Sequence, residues 1–103
     1  MARYAVSFEI HSDSTYTERY RSLINQIFKA PGTNIWTETT SFALVETTES
    51  LSQFADRLYF SSEILDNKDK LLVIDHRASH ALARGPFEYP ATLRGHFLRF
   101  ERK

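Results

Sequence analysis

From Arg3 to His11 the chain alternates without a break. Tyr4, Val6, Phe8 and Ile10 fall on one face of an extended segment, and Ala5, Ser7, Glu9 and His11 fall on the other. A period of two with aromatic and β-branched content predicts a strand with one apolar face. Such a strand needs sheet neighbours and a layer packed on its apolar side, which narrows the folds open to the rest of the chain.

The following segments supply both. Thr15 to Glu18 has the Thr-x-x-Glu form of a capping box. Tyr16, Tyr20, Leu23, Ile24, Ile27 and Phe28 then recur at helical spacing, predicting an amphipathic helix over 15–30 that stops at Pro31-Gly32. Residues 35–38 and 41–46 read as two short strands, either a tight hairpin or one bent strand. Ser50 to Gln53 is a second capping box, and Leu51, Phe54, Ala55 and Leu58 mark a second helix over 50–60. After a polar turn at 66–70, Leu71-Leu72-Val73-Ile74 predicts a buried strand.

In the tail, Ser79 to Arg84 can make one helical turn before Gly85-Pro86, Pro90 argues against a helix there, and residues 93–100 read as a last strand. The expected fold is therefore α+β: a ferredoxin-like βαββαβ sandwich with an additional C-terminal strand, one domain over 1–103. Helices would cover one sheet face and leave the other open. The extra strand would extend its own sheet or pair with a partner's edge.

With 103 residues there is room for one core and not for two. No cysteine is present, so disulfides and thiolate metal sites are excluded. The N-terminal residues lack the apolar core of a signal peptide, and no apolar run approaches a membrane span; a cytoplasmic location and no membrane partner are expected. The net charge is zero but unevenly placed. Residues 1–76 carry 7 Lys and Arg against 11 Asp and Glu, whereas residues 77–103 carry 6 against 2. A basic extension on an acidic body suits phosphate, or the acidic body of a second copy.

Three constellations can carry chemistry. Glu9, His11 and Asp13 place two carboxylates and an imidazole within five residues, a set that can hold a divalent cation or serve as a solvated polar face. Asp75, His76 and His80 form a second cluster without a zinc-like spacing. Arg94 and Arg99 interleave with Phe97 and Phe100, which suits phosphate contact with base stacking, or a packed interface in which the arginines meet carboxylates. An RNA-recognition motif is excluded, because Thr40-Ser41-Phe42-Ala43-Leu44-Val45 lacks the basic residue, the glycine and the second aromatic of its signature.

Tyr4 to Ile10, Ser41 to Glu46 and Lys70 to Ile74 together resemble strands of the small CRISPR adaptation subunit, the second core CRISPR-associated protein, whose fold the virulence-associated D-type ribonucleases share. The resemblance covers residues 3–76 by order and spacing, with little identity. It implies a ferredoxin-like homodimer whose terminal strand reaches the neighbouring sheet, with magnesium or manganese held where first-strand acids of two subunits face each other. Glu9 stands where that family carries aspartate, and the paired arginines expected just after it are absent; Arg19 and Arg21 match loosely. On this reading the chain is a dimeric scaffold of a CRISPR-adaptation-like or toxin–antitoxin-like type that binds nucleic acid or a partner protein. As a metal-dependent nuclease it would use Glu9 and Asp13 as ligands, Glu9 and His11 in catalysis, and Arg19 on the phosphate. Arg94 and Arg99 would add nucleic-acid contacts. A small-molecule sensor domain is the remaining class.

Overall fold

The computed structural model describes residues 1–32 and 34–103. The alternating segment forms strand β1, Ala2–Glu9, and the first helical pattern forms α1, Tyr16–Phe28. Strands β2, Ile35–Trp36, and β3, Phe42–Thr47, follow as an antiparallel pair, resolving the choice between hairpin and bent strand. Helix α2 spans Leu51–Phe60 and strand β4 Lys70–Asp75. Three more elements close the chain: β5, His80–Arg84, α3, Pro90–Arg94, and β6, Arg99–Arg102.

Six strands make one mixed sheet in the order β2-β3-β1-β4-β5-β6, giving an α+β architecture with three helices. Neighbours are antiparallel except β5 and β6. A parallel neighbour requires a crossover, and residues 85–98, with α3 among them, provide it.

The core lies on the Tyr4, Val6 and Phe8 side of β1. There Val45, Leu71 and Val73 of the adjoining strands meet Leu23 and Ile27 of α1 and Phe54 and Leu58 of α2, all buried. Tyr4 stacks on Phe54 with ring centroids 5.5 Å apart, tying the central strand to α2. The Ser50–Gln53 capping box is present in full: the Ser50 hydroxyl accepts from the Gln53 amide, and the Gln53 side chain accepts from the Ser50 amide. The Thr15–Glu18 box is not formed. Thr15 sits at the helix start, but its amide and hydroxyl donate to Asp13 Oδ1 instead.

The tail departs most from expectation. Ser79 to Arg84 is not a helical turn but largely strand β5, with Ala81, Leu82 and Ala83 buried. Pro90 does not bar a helix; it begins α3 at the first helical position, where its missing N–H costs nothing. The terminal strand covers only Arg99–Arg102, and it pairs with β5 of its own sheet.

Gly85 turns the chain out of β5 with φ at +113°, and a Cβ there would stand 2.1 Å from the Asp69 carbonyl oxygen. We expect Gly85→Ala to cost about 2 kcal/mol, seen as a lower urea midpoint at unchanged slope. An unchanged midpoint would mean that this turn is not packed against Asp69.

Candidate functional site

At one end of the sheet, the loop leaving β1 and the loop entering β4 meet over a single guanidinium. Arg19 lies on the Leu23 and Ile27 side of α1 and is only 3% exposed. Its Nε donates to Asp69 Oδ2 at 3.0 Å and one Nη to Asp69 Oδ1 at 3.3 Å. The same fork donates to Asp13 Oδ1 at 2.8 Å, to the His11 carbonyl at 2.8 Å and to the Thr15 hydroxyl. Asp69 is buried in turn, and it also accepts the backbone N–H groups of His11, at 2.8 Å, and Leu65, at 2.9 Å. Lys68 Nζ adds a 3.0 Å contact to Asp13.

The hydrogen bond from Arg19, with help from Lys68 and the Thr15 amide, holds the Asp13 carboxyl well below the usual carboxylate range. Asp13 in return raises the pKa of Arg19. Arg19 and Asp13 thus spend their polar atoms on each other and on the loops around them. The chemistry of this cluster is that of a clamp: one planar fork satisfies two carboxylates and a carbonyl at once.

The remaining sequence candidates add no side chain to the clamp, to which His11 contributes only its backbone. Glu9 ends β1 with its side chain 73% exposed, on the sheet face away from α1 and α2, with Lys70 Nζ at 3.4 Å. The His11 side chain is exposed in the loop beyond the strand, so Glu9 and His11 no longer share a strand face. Among the described residues, no three His, Asp or Glu side chains gather into a metal-holding group. Asp75 Oδ1 accepts the Ala78 amide, and His80 Nε2 lies 2.8 Å from Glu101 Oε2 across β5 and β6. That contact with His80 lowers the Glu101 pKa. Arg94 and Arg99 are exposed, Arg99 Nε standing 3.8 Å from Glu101. Phe97 and Phe100 stack on one another at 6.3 Å.

The sheet face opposite α1 and α2 carries what the sequence reading did not single out. By register, Trp36, Phe42, Leu44, Leu72 and Ile74 share it with Arg3, Ser7 and Glu9. Trp36 and Phe42 meet edge to face at 6.4 Å, and Leu44 is 42% exposed. At the end away from the Arg19 clamp, Arg3 Nε donates to Glu46 Oε2 at 2.9 Å. Two hollows adjoin there through Arg3 and His76. One, of about 370 Å³, is walled by Trp36, Leu44 and Asn34. The other, of about 560 Å³, reaches Asp75, Arg77 and the N-terminus.

Asp69 is the residue of the clamp that sequence reasoning missed, because it lay inside a turn read only as polar. A signal did exist for Arg19: it precedes Leu23 and Ile27 by one and two helical turns, on the face that faces inward.

No family model, curated protein or solved structure matches the chain. Among the described residues, no helix is long and apolar enough to cross a membrane.

Two measurements check the clamp. Asp69→Ala strands a buried guanidinium and two amides, and we expect it to cost about 3 kcal/mol or more in urea unfolding. The second is pH dependence. Because the folded-state pKa of Asp13 is depressed, its pairing contributes in full above the ordinary aspartate value of about 3.9 and is lost as pH falls through the folded value. Wild type should therefore lose stability faster than Asp13→Asn from about pH 4 downward; parallel curves would show that Asp13 is not held by Arg19.

Proposed function

We propose that the protein is a dimeric scaffold of the CRISPR-adaptation-like or toxin–antitoxin-like kind, which meets nucleic acid and joins a second copy through its open sheet face. The observation that carries this reading is the apolar strip of Phe42, Leu44, Leu72 and Ile74 on a sheet face that α1 and α2 do not cover. Leu44 is exposed there and Phe42, Leu72 and Ile74 are half-buried, and apolar surface left open in one patch marks an interaction site. The first four strands support a ferredoxin-like unit, since β2-β3-β1-β4 are neighbours in that order and all antiparallel. Strands β5 and β6 are then additions at the β4 edge. The exposed Arg94 and Arg99 supply a surface for phosphate.

A second reading is magnesium- or manganese-dependent cleavage. It draws on Glu9, exposed on the same open face, where a two-fold pairing of faces brings two such carboxylates toward one axis. In this reading Glu9 would hold the metal and His11 would move a proton, while Arg19 and Asp13 would first have to leave the clamp. That requirement is why the scaffold reading stands ahead of it.

Sedimentation equilibrium decides the dimer. Wild type is expected to be dimeric at micromolar concentration, and Leu72→Glu, which changes the open face and not the core, to be monomeric with unchanged circular dichroism. A monomeric wild type at high micromolar concentration would overturn the reading. Nucleic-acid affinity should fall steeply with salt and weaken about tenfold or more in the Arg94→Glu, Arg99→Glu double variant. Ligand-dependent melting without any nucleic-acid binding would favour a sensor instead. Chelator-sensitive cleavage that Glu9→Gln abolishes would favour the nuclease.

A further inference from the structure

We infer that the C-terminal segment, residues 86–103, is a strap that docks on the edge of the sheet as a unit of its own, latched there by the His80–Glu101 pair, and that it loosens as the imidazole loses its proton. The inference stands apart from the nucleic-acid reading above and gives a role to the histidine of the second sequence cluster.

The core ends before this segment begins. Leu82 is the last residue of the buried cluster, and none of residues 84–103 is buried. Helix α3 buries no residue, and β6 is the edge strand of the sheet. Gly85, packed against the Asp69 carbonyl, is the last point at which the chain is fixed to the body before the crossover leaves the sheet. What holds the segment beyond it is mostly backbone. Arg99 N–H donates to the Ser79 carbonyl at 3.1 Å, Leu98 N–H to Ser79 Oγ at 3.0 Å, and Lys103 N–H to the Ala83 carbonyl at 2.9 Å. The Arg102 guanidinium donates to the Gly85 carbonyl at 3.0 Å. Phe97 and Phe100 stack on each other, so that contact travels with the segment. Edge-strand bonds with little apolar burial behind them open without the core opening.

One side-chain pair ties the strap across the strands. His80 opens β5, and its Nε2 lies 2.8 Å from Glu101 Oε2 on β6. The charged groups around the imidazole come from both neighbouring strands. Asp75 on β4 stands opposite His80, with its Oδ1 taken by the Ala78 amide. Arg99 on β6 is aligned with His80, its Nε 3.8 Å from Glu101. From α2, Asp56 faces Arg84 at the other end of β5 at 3.9 Å, and Arg57 is bound to Glu49. A protonated imidazole thus meets Glu101 as a charge-assisted bond, roughly twice as strong as the neutral bond that Nε2–H can still make. The contact with His80 lowers the Glu101 pKa, so Glu101 stays ionised while histidine titrates. Only one partner changes charge: the ion pair is complete at acidic pH and is lost as pH rises through the ordinary histidine range near 6.5.

The test is amide hydrogen exchange of the full chain at pH 5.5 and pH 8, read as protection relative to the unfolded rate at each pH. The Arg99 and Lys103 amides report on the strap, and the amides of β1 and β4 report on the core. In wild type the strap amides should be less protected than the core at both pH values. Their protection should fall about fivefold from pH 5.5 to pH 8 while that of the core stays level. His80→Gln keeps a donor that cannot charge, and Glu101→Gln removes the carboxylate. In both variants the strap should show the low, pH-independent protection of wild type at pH 8, with core protection unchanged as the sign of an intact fold. Equal protection of strap and core in wild type overturns the separate unit. Strap protection that is level with pH in wild type, or that still falls with pH in His80→Gln, overturns the latch.

Discussion

The buried Arg19–Asp69 pair is the constraint on which the rest of the arrangement depends. Asp69 receives the guanidinium and two backbone amides, one from the loop after β1 and one from the segment before β4. A carboxylate so placed joins the His11–Arg19 segment to the turn before β4, two parts of the chain distant in sequence, and the central strands β1 and β4 enter the sheet in register beside it. Taking either charge away leaves the other desolvated without a partner, which is why such a pair holds geometry even where its net contribution to stability is small. The same residue limits Gly85, since the Asp69 carbonyl occupies the space a side chain there would need.

This constraint also sorts the surface. The charges that hold the fold gather at the Glu9 and Lys70 end of β1 and β4, and their polar atoms are taken up by neighbours. At the opposite end Arg3 pairs with Glu46, Trp36 donates to Glu38, and His76 and Arg77 are exposed. Between the two ends runs the apolar strip of the open face. Pairing of two copies through that strip, as proposed, would leave the clamp undisturbed.

Much of the sheet was legible in the sequence because its strands are amphipathic. Tyr4, Val6 and Phe8 alternate, and Leu51, Phe54, Ala55 and Leu58 recur at helical spacing; each pattern records which face is buried. The tail was harder for physical reasons. Ala81, Leu82, Ala83 and Arg84 are strong helix formers, yet β4 on one side and β6 on the other hold them extended. Pro90 punctuates a helix only from within, and here it stands at the start. At the candidate site, the partnership of Arg19 with a carboxylate fifty residues away has no local signature, so an arginine read as a phosphate contact turned out to be a tie inside the fold. Trp36, in a two-residue strand, lacked the periodicity that would have placed it on the open face.

Hydrogen exchange at two amides tests the central claim most directly. His11 and Leu65 lie outside the strands and helices, where exchange is ordinarily fast, yet both amides donate to the buried Asp69 carboxylate. In the free protein near neutral pH, both should exchange as slowly as the central amides of β1, and both should become fast in Asp69→Asn. Exchange of His11 and Leu65 at the rate of the surrounding loops in wild type would contradict the account, because the clamp would then not close the fold.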